Sequence, residues 1–447
     1  MSTSSSKPLG AAPVAQRLFA LLAGLGGLHA QQPTATTKPP HLAVDVDATQ
    51  TAALEVTFDQ DMDTSVHAVC GGGSTFPKVL ATRWRDAKTF VLEVELQPER
   101  VYLMDLACPN SSGFRTARGV ALPTTPWRFA TRGTALADGV GEATGNRLFA
   151  ALRDHYSYRD RLGVDWAELE REQAAELANA PSAAALALRV ATLLGAAQDP
   201  HITVRWGDSL LPTYQRAVAG NFDMRGLQKQ MPALRRVGRL GLWGRTDDGV
   251  GYLLVPSFAR ELRDEFDLWL ACLTKAKDCK ALVLDLRTNG GGDEALAARL
   301  AGFFVRGERV YAAHRLRDPA AERGFRDVQE RTVRANAEPE VFDGPVAVLM
   351  GPHNMSSAEA FLLMMQQAPN AVLVGARSFG SSGNPRAHAL NQGLTVLLPS
   401  WQALRADHTC FEGEGIAPHL PVATTPEQFV AGDPVLVEAL ARLRVKH

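Results

Sequence analysis

The stretch ALVLDLRTNGGGD, residues 281–293, decides the fold of the second half of this chain. An apolar run of this length is typical of a strand buried on both faces, and the three glycines after it let the backbone approach a neighbour closely. Similar strands are predicted at 251–255, 345–350, 371–374 and 394–398, with helices at 262–275, 294–304 and 356–367 between them. This alternation predicts an α/β core from 251 to 447, with active groups on loops at strand ends.

The region before this core has helical periodicity. Leu148, Leu152 and Tyr156 lie on one predicted helix face, Asp165 followed by Glu168 is typical of a helix start, and a third helix follows Ser182. These patterns predict a three-helix bundle over 141–206. Residues 207–250 are predicted to connect the bundle to the core.

The first part of the chain is predicted to be a β-sandwich over 41–132. Short alternating runs separated by Pro and Gly carry this prediction. The pieces VTFDQDMDTS, LQPERVYLMDL and GVALPTTPWRFAT (residues 56–65, 96–106 and 119–131) resemble bacterial immunoglobulin-like domains of the surface-layer type. Residues 31–40, rich in Pro and Thr, are predicted to be a linker.

The N-terminus indicates export. Lys7 and Arg17 precede an apolar run over 18–28 that ends near Ala30, the order found in secretory signals, so 1–30 is predicted to be a signal peptide. A disordered tail rich in Ala, Gly and Leu is the alternative. No stretch is long and apolar enough for a predicted membrane span. We therefore expect a periplasmic or secreted bacterial protein.

The composition argues against nucleic-acid-binding and disulfide-rich classes of protein. The 447 residues carry 47 Lys and Arg against 48 Asp and Glu, so a net charge of -1 predicts no strong attraction to nucleic acid. Five cysteines in so long a chain do not form a disulfide framework. If the protein is exported, Cys70 and Cys108 are candidates for one disulfide, because both lie in the predicted sandwich.

The glycine loop has three interpretations. Gly290, Gly292 and Ala295 loosely match a dinucleotide fingerprint. Asp293 and Glu294, however, stand where the helix start would receive a pyrophosphate and would repel it. A tight strand-to-helix turn is the second interpretation, and presentation of free N–H groups to a ligand is the third.

Ser356 opens a predicted helix directly after a strand, and two interpretations apply. Ser356 with Glu359 has the S-x-x-E form of a capping box. Alternatively, a serine at this position is exposed at the sheet edge as a nucleophile, where the helix dipole and the Ser357 N–H stabilise negative charge.

A general base is not identified by the residues alone. Four histidines lie near predicted loop ends: His201, His353, His388 and His408. No spacing of His, Cys, Asp and Glu resembles a metal site, and no phosphate-binding loop is present. No metal or organic cofactor is therefore expected.

Six motifs occur in an order that resembles the tail-specific, or C-terminal processing, serine proteases and their tricorn-core and interphotoreceptor retinoid-binding relatives. They are DPHITV, GYLLVPSF, LVLDLRTNGGG, MSSAEAF, VGARSFG and FEGEGIAPHLPV, beginning at residues 199, 251, 282, 355, 374 and 411. The resemblance implies a crotonase-like core of mixed α/β sheet. It extends from about residue 141 to the C-terminus, and 207–250 is too short to hold the PDZ domain of many relatives.

The resemblance also implies site residues. Ser356 corresponds to the nucleophile, and Gly290, Gly291 and Ser357 to the oxyanion hole. Where the Ser-Lys branch has its lysine this chain has Ser381, so the tricorn-like branch applies: His201 is the implied base and Glu412 its support. Asp199 and Glu414 are the other acids considered.

The function expected from the sequence is that of a serine endopeptidase acting on polypeptides or peptides. The alternative is an inactive relative that binds an apolar ligand or peptide. The oligomeric state is not predicted.

Overall fold

The structure is a computed structural model that describes residues 31–108, 113–337 and 342–444. The predicted signal peptide at 1–30 lies outside the described residues. No helix within the described ranges is both long and apolar enough to cross a membrane.

The N-terminal region is a β-sandwich. Within the described residues, its strands form two four-stranded sheets, ordered β1-β3-β6-β5 and β2-β8-β7-β4. Leu54, Phe90, Trp127 and Phe129 are buried between them. The strands are β1 Ala35–Lys38, β2 Ala43–Val46, β3 Ala53–Phe58, β4 Val69–Cys70, β5 Lys78–Asp86, β6 Thr89–Glu95, β7 Val101–Leu106 and β8 Thr125–Thr131.

The structure corrects the predicted linker at 31–40. Ala35–Lys38 pairs antiparallel with β3 along its whole length, as an edge strand of the sandwich. The β-branched Thr36 and Thr37 favour extended backbone, and Pro33 and Pro39 bound the strand without occupying it. A segment rich in Pro and Thr therefore contributes to the first sheet.

The predicted three-helix bundle comprises α1 Val140–His155, α2 Trp166–Ala178 and α3 Ala183–Leu194. Asp165 accepts a hydrogen bond from the Glu168 N–H, and Ser182 from the Ala185 N–H, so both predicted helix starts are capped. Val101 and Ala130 of the sandwich share the apolar cluster of the bundle, which joins the two regions.

The core follows the bundle, and its elements are listed here in chain order. They are β9 Thr203–Trp206, β10 Ser209–Pro212, α4 Met224–Gln230, β11 Arg235–Val237, β12 Gly241–Arg245, β13 Val250–Leu254, α5 Arg263–Lys275, β14 Ala281–Asp285, α6 Glu294–Ala301, β15 Glu308–Leu316, β16 Gln329–Arg334, β17 Val346–Met350, α7 Ser357–Met365, β18 Ala371–Gly375, β19 Pro385–Ala389, β20 Leu394–Pro399, β21 Trp401–Arg405, β22 Leu420–Pro421, α8 Gln428–Ala431 and α9 Pro434–Arg444.

Among the described residues, the main sheet has seven strands in the order β11-β12-β13-β14-β17-β18-β22, parallel from β13 onward. Alternate residues of β14 enter different apolar clusters, because neighbouring side chains of a strand point to opposite faces. Leu282 and Leu284 pack on the side of α5, α6 and α7, and Val283 packs on the side of α4 and α9.

Two boundaries of the predicted core are corrected. β11 and β12, which belong to the main sheet, precede residue 251 and lie in the predicted connecting segment. The strand predicted at 394–398 forms, but as β20 in a separate sheet ordered β10-β9-β20-β19. An apolar run predicts that a strand forms but does not predict which strand it pairs with, because pairing depends on residues far apart in the chain.

Candidate active site

Three loops meet at the carboxyl edge of the main sheet. β14, β17 and β18 are parallel neighbours, so the loops that follow them emerge side by side. These are the glycine loop (residues 286–293), the loop that carries the predicted nucleophile Ser356 (351–356, called the nucleophile loop) and the adjacent loop (376–384). Asn354 joins the first two, since its side-chain amide donates to the carbonyl oxygens of Leu286 and Asn289.

The glycine loop is anchored by a buried ion triad. The Arg287 guanidinium lies 2.6 Å from a carboxylate oxygen of Asp285 and 2.6 Å from one of Asp433, and all three side chains are fully buried. Asp433 immediately precedes α9, so the triad fixes the end of β14 to the C-terminal helix. Neither Arg287 nor Asn354 is a predicted site residue, because the contacts that show their roles are made with residues distant in the chain.

Ser356 has an unusual backbone conformation. Its φ is 55° and its ψ is -127°, a region that non-glycine residues avoid because Cβ approaches the backbone. The Ser356 N–H donates to the Ser381 carbonyl at 2.7 Å, and the hydroxyl makes no capping hydrogen bond. The sharp turn from β17 into α7 therefore leaves Ser356 Oγ available.

The structure contradicts the serine half of the capping-box interpretation of Ser356 and Glu359, because the Ser356 hydroxyl accepts no helix N–H, although the Ser356 backbone N–H does act on the Glu359 carboxylate. The fully buried Glu359 carboxylate accepts hydrogen bonds from the adjacent loop: the Ser378 hydroxyl at 2.5 Å, the Gly380 N–H at 2.7 Å and the Ser381 N–H at 3.0 Å. Burial raises the pKa of Glu359 to about 7, although these donors oppose the shift. Glu359 holds the adjacent loop in place beside the nucleophile loop.

Glycine is required at two positions of the glycine loop. Gly291 has φ 102°, and a Cβ there would lie 3.0 Å from both Ser356 Cβ and the Ser357 nitrogen. Gly292 has φ 136°, and a Cβ there would lie 2.2 Å from the Phe258 backbone. The loop therefore packs directly against the start of α7.

The three proposed oxyanion donors are not equivalent. The Gly291 N–H is already donated to Asn289 Oδ1 at 2.8 Å. Within the described part of the chain, the backbone N–H groups of Gly290 and Ser357 have no hydrogen-bond acceptor. The Ser357 hydroxyl donates to the Gly292 carbonyl, which ties the glycine loop to the helix start. Gly290 and Ser357 are thus the two amides free to bind an anion.

His201 lies next to the adjacent loop because β9, which follows it, pairs with β20. Its Nδ1 is 2.7 Å from Ser381 Oγ and 3.9 Å from Asp199 Oδ1. Burial lowers the pKa of the His201 imidazole below its ordinary value, and the Asp199 charge opposes that shift. No hydrogen bond joins His201 to Ser356 in the described ranges; Ser381 contacts both residues.

The candidate acids differ sharply. Asp199 is fully buried, and its carboxylate accepts from the Tyr156 hydroxyl at 3.0 Å and from the backbone N–H of His201 at 2.9 Å. Glu412 accepts from the Ser382 N–H at 2.8 Å. Burial and then the Asp199 charge raise the pKa of Glu412 well above its ordinary value. Glu414 is exposed and pairs with Arg377 and Arg405.

Ser381 is not among the predicted site residues, because in the sequence it only stands where the Ser-Lys branch has its lysine. Its contact with His201 joins residues 180 positions apart, and no local pattern signals it. The other candidate histidines lie elsewhere: His388 stacks on His155 with ring centroids 4.5 Å apart, and His353 lies close to Gly220. His408 is exposed, in the turn after β21.

Cys70 and Cys108 form a disulfide with Cα atoms 5.5 Å apart. Cys272 and Cys279 are buried free thiols, and Cys410 is an exposed one. Within the described residues, no group of three or more His, Cys, Asp or Glu side chains is arranged to hold a metal ion.

Residues 249–422, which include all three loops, match the family model described as peptidase family S41. This part of the chain is similar to peptidase family S41. A "Tail-specific protease" of Haemophilus influenzae is 26% identical over 145 residues, 32% of this chain and 19% of that protein. A "Probable CtpA-like serine protease" of Staphylococcus haemolyticus is 24% identical over 185 residues, 41% and 35% of the two chains.

The chain spans about a fifth to a third of the length of these two curated relatives. A crystal structure of a "putative peptidase" from Parabacteroides merdae superposes with a TM-score of 0.60 at 21% identity, covering 69% of this chain and 98% of that one. At that identity the likeness shows a shared fold.

Proposed function

We propose that this chain is a serine endopeptidase that hydrolyses polypeptides, with Ser356 as the nucleophile and His201 as the general base. The observation that carries the proposal is the conformation of Ser356. It is held at positive φ with its hydroxyl uncapped, beside the free amides of Gly290 and Ser357. A helix start that only needed a cap would not require this conformation.

The chemistry follows from these groups. His201 removes the proton from Ser356 Oγ, which attacks the scissile carbonyl carbon. The oxyanion that forms accepts the N–H groups of Gly290 and Ser357; losing one such donor typically costs about 3 kcal/mol of transition-state stabilisation. His201 then protonates the leaving amine, and water hydrolyses the acyl-enzyme with His201 again as base.

Two groups position His201 in this proposal. Ser381 bonds Nδ1, which leaves Nε2 as the ring nitrogen for proton transfer. Asp199 is the nearest carboxylate to the ring and also fixes the His201 backbone, whereas Glu412 reaches the site through the adjacent loop. Asp199 is therefore the acid we assign to support His201, and Glu412 stabilises the loop that carries Ser381.

The decisive experiment is labelling with a fluorophosphonate, which reacts with activated serines, followed by mapping of the labelled peptide. We expect the label on Ser356, and we expect Ser356→Ala to abolish both labelling and cleavage of an unfolded test protein. Ser357→Ala is the matched control, because it retains the backbone N–H and should keep at least a tenth of the activity. An unlabelled protein that binds peptides or apolar ligands without cleaving them would favour the inactive relative.

We also propose that the protein works in the periplasm or outside the cell. The Cys70–Cys108 disulfide supports this, because such bonds persist mainly in oxidising compartments. Fractionation of the native host tests it. Recovery of the protein in the cytoplasm with both thiols reduced would contradict the proposal.

A further inference from the structure

Residues 214–220 connect β10 to α4 without a helix, a turn, a bend or a sheet partner. None of their backbone N–H or C=O groups takes part in a hydrogen bond among the described residues. Such unpaired backbone is a template on which another extended chain adds as a strand. At about 3.3 Å per residue the segment is roughly 20 Å long.

The segment is held in place at both ends and in the middle. Thr213 is buried and its hydroxyl donates to the Ile202 carbonyl. Asn221 is buried, its side chain donates to the Met350 carbonyl at 2.9 Å, and its own carbonyl accepts from Arg287. In the middle, the Arg216 guanidinium lies 3.7 Å from the centre of the Phe379 ring.

These anchors place the segment against the catalytic loops. The Phe379 N–H donates to the Asn354 carbonyl, so Arg216 packs on a residue bonded directly to the nucleophile loop. Gly220 lies so close to His353 that a Cβ would come within 2.7 Å of its Nε2. The segment therefore flanks Ser356 through the adjacent loop at one point and through the nucleophile loop at another.

The side chains alternate as they do in a strand with one exposed face. Gln215, Ala217 and Ala219 are exposed, and Arg216 and Val218 are half-buried. Exposed edges in soluble proteins usually carry Lys, Pro or inward-pointing charges that block pairing. The sequence Ala217-Val218-Ala219-Gly220 has none of these, and the one nearby charge, on Arg216, lies on Phe379.

We propose that residues 214–220 bind the polypeptide substrate by backbone pairing, as an added β-strand that leads its scissile bond to Ser356. This inference rests on the proposed peptidase function. It assigns to a connecting segment a role in holding extended substrate through main-chain contacts, so recognition depends little on substrate side chains and requires several residues of unfolded chain.

Ala217→Pro and Val218→Pro test the pairing, because each removes one backbone N–H. Successive N–H groups of a strand point to opposite sides, so we expect unequal effects. For a peptide of ten or more residues, at least one variant should lower kcat/KM about tenfold, which corresponds to about 1.4 kcal/mol. Proline also favours extended backbone in the residue before it, which suits this segment.

Ala137→Pro is the control. Ala137 is exposed, its N–H is likewise without an acceptor in the described ranges, and it lies before α1, so kcat/KM should stay within twofold. The rate of fluorophosphonate labelling serves as the second readout, because this small reagent does not span the segment.

A fall in kcat/KM of fivefold or more in at least one variant, with labelling rates within twofold of wild type, supports the inference. Falls of less than fivefold in both variants overturn it. Loss of labelling in parallel with cleavage also overturns it, since the segment would then act by holding the nucleophile loop. If the wild-type protein is neither labelled nor active, the proposed function itself fails.

Discussion

Ser182 and Ser356 each precede a helix, and they do so in opposite ways. Ser182 precedes α3 with extended backbone, φ -153°, and its hydroxyl accepts the Ala185 N–H at 3.3 Å. Ser356 precedes α7 with φ 55° and makes no capping bond. The serine hydroxyl therefore caps the helix in the bundle, whereas in the core the backbone conformation of the serine prevents its hydroxyl from capping the helix.

The difference shows that the backbone of Ser356 in the core adopts a conformation that its own residue type disfavours. Left-handed backbone costs a non-glycine residue on the order of 1 kcal/mol, so neighbouring structure must impose it. Three contacts do so: Gly291 packs against Ser356 Cβ, Ser381 accepts the Ser356 N–H, and Asn354 fixes the loop before it. These contacts depend on the folded positions of the loops. The helix propensity of the residues around Ser356 does not provide them.

The largest effect on this comparison is expected from Glu359→Gln. The glutamine side chain replaces one carboxylate oxygen with an NH2 group, which would face the N–H of Gly380 or Ser381. That buried N–H then has no acceptor, at a cost of about 1–3 kcal/mol. We expect the adjacent loop to shift and kcat/KM to fall by roughly 10- to 100-fold, since 1.4 kcal/mol is a factor of ten.

Glu168→Gln is the control for that variant, because Glu168 also stands three residues after a helix N-cap but is exposed. Its unfolding free energy should change by less than about 0.5 kcal/mol, and its activity not at all. Peptide kinetics and urea unfolding measure both variants. A Glu359→Gln protein with more than a third of wild-type activity would mean that the loop does not depend on the carboxylate.

The raised pKa of Glu359 also makes stability depend on pH. The folded state keeps this proton up to about pH 7, whereas the unfolded chain releases it near its ordinary value of 4.5. The folded state therefore binds more protons in that window, and the unfolding free energy falls as pH rises through it. Glu359→Gln should remove this part of the slope; an unchanged slope in the variant would contradict the assignment.

The next largest effect is expected from Ser381→Ala. The variant lacks the Ser381 hydroxyl that contacts His201 Nδ1, so the imidazole is no longer held in its orientation toward Ser356. We therefore expect kcat to fall about tenfold while KM stays within twofold. Ser382→Ala is the matched control, because Ser382 contributes its backbone N–H, and not its hydroxyl, to Glu412. Equal changes in kcat and KM for both variants would indicate a purely structural loop.

The pH profile of kcat/KM tests His201 itself. Burial lowers the pKa of this imidazole, so the neutral base persists below the ordinary value of about 6.5. Activity should be lost on acidification with a midpoint below 6.5, and His201→Gln should remove that limb together with most activity. A midpoint above 7 would assign the limb to another group.

The sequence predicted those features that depend on neighbours in the chain. The caps at Asp165 and Ser182 and the strands and helices of the core follow from local patterns and form nearly as expected. The conformation of Ser356 did not follow, since its S-x-x-E pattern favours a capping box. The Ser381–His201 contact and the pairing of Ala35–Lys38 also depend on long-range partners that no short pattern contains.

The smallest effects return to the two helix starts and are measured as unfolding free energies. Ser182→Ala removes a cap and should cost about 1 kcal/mol, with activity unchanged. Ser356→Ala removes no cap, so stability should change by less than about 0.5 kcal/mol. Ser356→Gly should be more stable than Ser356→Ala by roughly 1 kcal/mol, because glycine adopts positive φ without a Cβ penalty. If Ser356→Ala instead lost as much stability as Ser182→Ala, Ser356 would be acting as an ordinary cap, and its conformation would no longer argue for a nucleophile.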